Sequence, residues 1–240
     1  MKLEYQDLIK RFESKNYITL DELFRYYKSN EPNIKRNTVY WRTHQLVKNN
    51  IIKRISKGKY QIHPIKNFSP PIFKQERQIS LLLQKELPFV SYCIWQSSII
   101  NYFSRHILPQ AFTIVEIEKD ALEAAFELIK SKFPITYKNP TSEIMEHYIL
   151  NRPDAIVVKK LVSEAPVRLI QEIPTISLEK FLVDIYCDKQ IFYFLQGEEL
   201  YFIYKAAFDN YTINVNRLLR YASRRKKKEQ ISKMIMLINK

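Results

Sequence analysis

Glycine is nearly absent from this chain: Gly58 and Gly197 are the only two in 240 residues. A Walker loop or a dinucleotide fingerprint needs several glycines so that backbone amides can close on phosphate, and both motifs are excluded. Cysteine is equally scarce. Cys93 and Cys187 lie far apart without metal-ligand spacing; with no secretory leader in view, they are expected to be thiols of a reducing cytoplasm. The apolar runs are too short to cross a bilayer, so no membrane partner is expected. Four histidines, His44, His63, His106 and His147, are scattered, with no carboxylate at ligand spacing, and no Gly-x-Ser-x-Gly elbow occurs. No cofactor, no metal and no catalytic residue is predicted from these patterns.

What the chain does have is aromatic carbon and positive charge. A hydrophobic fraction of 46% with 13% aromatics is too rich for disorder. The net charge of +14 is unevenly placed: residues 1–65 carry +8, residues 210–240 carry +8, and the middle carries −2. Two terminal cationic patches point to a polyanionic partner, nucleic acid first.

The N-terminal patch has a recognisable grammar. Tyr5, Leu8, Ile9 and Phe12 recur at helical spacing and predict a first helix from about Leu3 to Lys15. Thr19-Leu20-Asp21-Glu22 has the form of a capping box opening a second helix, whose buried stripe is Leu20, Leu23, Phe24 and Tyr27. Residues 29–33 make the turn. A third helix follows, with Val39, Thr43, Leu46 and Val47 on one face. Ile51–Ile55, a Lys57-Gly58-Lys59 tip and Tyr60–Ile62 then read as a small hairpin. This order predicts a winged helix-turn-helix. A helix fits the major groove, where arginine can grip guanine and asparagine or glutamine can grip adenine. Arg36, Asn37, Tyr40 and Arg42 are the best base readers, with Thr38 and Gln45 nearer the groove edge. Tyr40 and Trp41 serve either the groove or the core. Arg54, Lys57 and Lys59 would reach phosphates, with Gly58 turning the tip.

Residues 66–73 read as a linker, dividing a 1–65 DNA-binding domain from a 74–240 domain. Helical pattern at 74–86 is followed by a buried strand at Phe89–Trp95, a helix at Ser97–Phe103 and strands at 111–117, 135–138, 155–160 and 167–170. Helices at 121–132 and 143–150 fall between them, and helices are predicted at 178–187, 190–209, 214–226 and beyond. The fold class is α/β, with a helical C-terminal segment.

Glu116-Ile117-Glu118-Lys119 sets acids beside a lysine as nuclease-like domains do, but the frame is wrong for metal-assisted hydrolysis. These residues read as a strand-edge or helix-start charge cluster, and no enzyme activity is predicted. Arg217, Arg220, Arg224, Arg225, Lys226, Lys227 and Lys228 form a second basic patch, either a solvated helix end or a surface for nucleic acid or an acidic protein.

The run Pro174-Thr175-Ile176-Ser177-Leu178-Glu179-Lys180-Phe181-Leu182-Val183-Asp184, and Arg220-Tyr221-Ala222-Ser223-Arg224-Arg225 after it, resembles the C-terminal part of AbiEi-type antitoxins of bacterial abortive-infection loci. The string Arg54–Tyr60 and the step Ile114–Lys119 resemble their opening module and middle. That likeness implies a type IV antitoxin for viral defence that represses its own promoter on double-stranded DNA and counteracts a nucleotidyltransferase toxin, without need of a stable complex. Glu179, Lys180 and Asp184 are expected to anchor the second domain, with Lys180 and Asp184 one turn apart and within ion-pair reach. Two other readings stand beside it: a regulator of another operon whose α/β domain senses a ligand or partner, and a nuclease.

Overall fold

The computed structural model describes residues 5–12, 15, 17–49, 51–62 and 67–238. It divides into two compact units, residues 1–67 with 208–213 and residues 68–207 with 214–240. The architecture is mixed α/β with a helical C-terminal segment. Among the described residues, no helix is long and apolar enough to cross a membrane.

In the first unit, helices α1 (Tyr5–Phe12), α2 (Leu20–Asn30) and α3 (Arg36–Lys48) pack with a three-stranded antiparallel sheet. Its strands are β1 (Ile18–Thr19), β2 (Ile52–Ser56) and β3 (Lys59–Ile62), in the order β1-β3-β2. The expected flanks of the first helix, Leu3 and Glu4 at one end and Glu13 and Ser14 at the other, lie outside the described residues. Thr19 caps α2 as its sequence suggested: its hydroxyl accepts from the Glu22 amide at 3.3 Å, and the Glu22 carboxylate accepts from the Thr19 amide at 2.7 Å. Lys15 pairs with the same carboxylate and, with Thr19, holds it down to about 2. Leu8, Ile18, Leu23, Val39, Leu46 and Ile52 are the centre of the core. Each stabilises the unit by about 1.5–3 kcal/mol relative to exposure.

The second unit is built on a four-stranded sheet of β4 (Tyr92–Gln96), β5 (Thr113–Ile117), β6 (Thr136–Lys138) and β7 (Ile156–Lys160), in the order β4-β5-β7-β6. β4 runs antiparallel to β5, while β5, β7 and β6 are parallel. Alternation along the strands gives the sheet two chemically different faces. Ile94, Val115, Ile117, Ile156 and Val158 pack against Ile79 and Leu83 of α4 (Lys74–Glu86) and Phe126 and Ile129 of α5 (Leu122–Lys132). Cys93, Trp95, Ile114, Glu116, Val157 and Lys159 alternate with them and occupy the other face.

α6 is one turn (Ser142–Ile144) that continues as a π turn, Met145–Ile149, and the predicted helix at Ser97–Phe103 is a 3-10 segment ending at Tyr102. The strand predicted at 167–170 is β8 (Val167–Ile170), and it pairs with β9 (Ile173–Ile176), which the sequence pattern did not reveal. The C-terminal helices are α7 (Leu178–Cys187), α8 (Glu198–Asn210), α9 (Val215–Arg224) and α10 (Lys228–Ile238). The predicted helix at 190–209 thus starts eight residues late, because Gly197 takes a φ of +74° and a 3-10 turn at Tyr193–Leu195 precedes it. Residues 67–73 carry no regular structure.

Candidate functional site

Helix phase decides what α3 presents. Val39, Arg42, Thr43 and Leu46 recur at three- and four-residue spacing and form its buried face. Opposite them stand Asn37, Tyr40, Trp41, His44 and Lys48, all exposed, with Arg36 and Thr38 at the margins and Gln45 half-buried. Tyr40 and Trp41 are 52% and 57% exposed, so neither serves the core.

Arg42 requires a correction. It was expected to reach a base, and it is instead 4% exposed on the inward face. Its guanidinium lies 5.0 Å from the Tyr27 ring and grips Glu31 with both nitrogens, Nη1 to Oε1 at 2.7 Å and Nη2 to Oε2 at 3.0 Å. Glu31 closes the C-terminal end of α2, so this fork fixes the angle at which α3 leaves the turn. The contact holds the Glu31 carboxyl below its ordinary range. Arg42→Ala is expected to lower the melting temperature of the first unit by roughly 5–10 °C, read by thermal circular dichroism. Arg36 is also engaged. It donates to Asp21 at 3.0 Å and its guanidinium lies 5.3 Å from the Phe24 ring, although both partners of the ion pair are about two-thirds exposed and such pairs are weak.

The hairpin places its cations outward. Arg54, Lys57 and Lys59 are exposed, and the Lys59 ammonium stands 4.7 Å from the Tyr17 ring. Gly58 turns the tip with φ +71°, where a side chain would be strained, and its carbonyl accepts from the Leu20 amide at 3.1 Å. Arg54, Lys57, Gly58 and Lys59 therefore form one end of the sheet, with the α2 start tied to the tip.

The second basic patch is not one continuous surface. Arg220, Lys226 and Lys228 are exposed, while Arg217 and Lys227 are half-buried. Arg224 is paired with Glu164. Arg225 is the second correction: its Nη1 lies 2.9 Å from Asp184 Oδ1 and its Nη2 lies 2.5 Å from Asp188 Oδ1, so it ties the end of α9 to α7 and offers little to a partner. Lys226 follows with φ +55°, and the Lys226 and Lys227 amides donate to Ser223 and Ala222 carbonyls. These two bonds close α9 as a Schellman motif with lysine where glycine is usual.

Arg225 belongs to a buried charge network that overturns the edge-cluster expectation for Glu116. β5 is an interior strand, and Glu116 is fully buried in it. Its Oε1 accepts from Lys180 Nζ at 2.5 Å and Trp95 Nε1 at 3.1 Å, and its Oε2 lies 3.3 Å from Lys159 Nζ. Lys180 also donates to Asp184, the pair expected from their spacing. Tyr221 donates to Asp184 at 2.7 Å, and Lys159 donates to Asp188 at 2.6 Å. Glu118 and Lys119, by contrast, do sit at a helix start. Burial works against charge at Asp184, but Lys180, Lys159 and Arg225 overcome it and hold the carboxyl at about 2. Burial likewise opposes the Lys180 and Lys159 ammonium groups, and the facing carboxylates raise both above the ordinary lysine range. Three carboxylates and three cations neutralise one another, which suits an anchor better than a reaction centre. Glu179 has a related role: its carboxylate accepts from the Asn214 amide at 3.1 Å, holding the start of α9.

The family model of DUF6577, described as a family of unknown function, matches residues 38–240. The chain belongs to this family. No curated protein matches it. The DUF6577 match begins within α3, so it takes in the hairpin, the sheet of the second unit and every residue of the charge network. Among the described residues of this DUF6577 chain, no group of three or more His, Cys, Asp or Glu side chains has a geometry that could hold a metal ion.

One further buried acid was missed by sequence reasoning. Glu76, in the first turn of α4, is fully buried; Oε2 accepts from the Phe73 amide at 2.6 Å and Oε1 has no hydrogen-bond partner. Burial pushes its carboxyl up to about 7. A group raised on folding stabilises fully below its unfolded value, near 4.5, and loses that contribution as pH rises through about 7. Glu76→Gln is therefore expected to match the natural protein at pH 4.5 and to exceed it by about 2–3 kcal/mol at pH 8.5, measured by urea unfolding.

Proposed function

We propose that the first unit is a winged helix-turn-helix that binds duplex DNA, with α3 in the major groove, the β2–β3 hairpin as the wing along the backbone, and the protein acting as a transcriptional regulator. The observation that supports this most is α3 itself. Its buried stripe leaves Asn37, Tyr40, Trp41 and His44 facing solvent, beside a hairpin whose cations are exposed. Hydrogen-bonding and apolar side chains on an exposed helix are what base edges require, and the flanking cations are what phosphates require.

Taken with the resemblance to AbiEi-type antitoxins, we read the protein as a cytoplasmic antitoxin that represses its own operon and counteracts a nucleotidyltransferase toxin. The two roles separate by experiment. In a mobility-shift titration on DNA from the chain's own promoter, Lys57→Ala/Lys59→Ala is expected to weaken binding about tenfold. The same variant, co-expressed with a neighbouring nucleotidyltransferase, should still restore growth. Failure to shift the chain's own promoter contradicts autorepression; shift without rescue leaves a DNA-binding autoregulator that is not an antitoxin.

A further inference from the structure

We infer that α3 reads A·T base pairs, with Asn37 gripping adenine and Tyr40 and Trp41 packing on thymine methyl groups. The inference rests on the duplex-binding reading above and concerns what that site recognises. Guanine is ordinarily recognised by an arginine or lysine that reaches its O6 and N7 atoms from the groove-facing side of a helix. α3 offers no such group from its opening turns, the ones that point at bases. Arg42 faces inward and is spent on Glu31 and Tyr27. Arg36 is turned over α2, onto Asp21 and Phe24, which suits it to a phosphate and not to a base edge. Lys48 is the last residue of the helix.

What the outward face does offer is specific in the opposite direction. Asn37 carries the carboxamide that matches the paired donor and acceptor of adenine in the major groove. Tyr40 and Trp41 lie three and four residues further on, so they share its side of the helix, and more than half of each is exposed. Thymine alone presents a methyl group in that groove, and aromatic carbon gains by covering it. The opening turns of this face thus hold an adenine reader and two thymine readers, with His44 and Lys48 further along it and both arginines of α3 directed elsewhere.

The test is selection of binding sites by the full chain from a random duplex pool, followed by resynthesis of the selected duplex with deoxyuridine in place of each thymidine. A·T pairs should be enriched at the contacted core. Loss of the methyl group should weaken binding about fourfold at one or two positions, the ratio for burying a single such group. Trp41→Ala and Tyr40→Ala change exposed side chains and should fold normally; in one or both, the uridine swap should cost nothing at the matching position. Asn37→Ala should relax the preference for adenine at one position. Enrichment of G·C sites, indifference to uridine throughout, or tighter binding to either separated strand than to the duplex overturns the inference while nucleic-acid binding stands. Selection of no duplex overturns the underlying reading and this inference with it.

Discussion

Glu116→Ala is expected to destabilise the second unit by about 3–5 kcal/mol, a large share of what a domain of this size has. The cost comes from what is left behind. Lys180 and Lys159 would face each other with one carboxylate fewer between them, and the Trp95 indole would lose its acceptor, all in a region from which water is excluded. A shortened side chain adds a cavity. Removing one charge of each sign should behave differently. Glu116→Leu/Lys180→Met leaves Lys159 and Arg225 against Asp184 and Asp188, and most of the lost stability should return. Urea unfolding followed by Trp95 emission, in a Trp41→Phe background, reads both variants. A loss below about 1 kcal/mol for Glu116→Ala would mean that the ions are solvated and not locked together. The pH dependence follows from the same groups. Asp184 is depressed on folding, so its contribution is complete above its ordinary value of 3.8 and is lost as pH falls through about 2. The two lysines are raised on folding, so theirs is complete below 10.5 and is lost only at still more alkaline pH.

On the DNA-binding reading, affinity for a duplex should fall about a thousandfold between 50 and 200 mM salt. Lys35, Arg36, Lys48, Arg54, Lys57 and Lys59 are exposed cations of α3, its cap and the hairpin, while Lys53, also exposed, is paired with Asp209. Six phosphate contacts give a slope of about −5 in a plot of log affinity against log salt, which over a fourfold change in salt is roughly three decades. Each cation removed from the hairpin should flatten the slope by about one unit without changing which sequence is preferred. An unchanged slope in Lys57→Ala/Lys59→Ala would place the hairpin off the DNA.

Local features were legible in the sequence because they need only neighbours. The Thr19 capping box, the Val39-Thr43-Leu46 stripe and the Lys180–Asp184 pair are all decided within one or two helical turns. Arg42 was misassigned because residue type outweighed phase: it lies three after Val39 and four before Leu46, a core position by spacing alone. β9 escaped because Pro174 interrupts it and because its turn is made by Gln171 and Glu172 at φ of +50° and +65°, a pair with no turn signature. The α9 end was hidden for a similar reason, with Lys226 holding a conformation that usually marks itself by glycine. Glu116 could not be placed from its own neighbourhood. Its partners come from β4, β7 and α7, and the network closes only when Tyr221 of α9 and Arg225, which caps that helix, are added.

The claim that α3 presents its outward face to DNA has a built-in reporter. The chain has two tryptophans: Trp41 is 57% exposed on that face, and Trp95 is fully buried beside Glu116. Addition of promoter duplex at low salt should quench Trp41 emission and shift it to the blue, and the response should vanish in Trp41→Phe and on raising the salt. Duplex that binds the full chain while Trp41 emission stays unchanged would contradict the account.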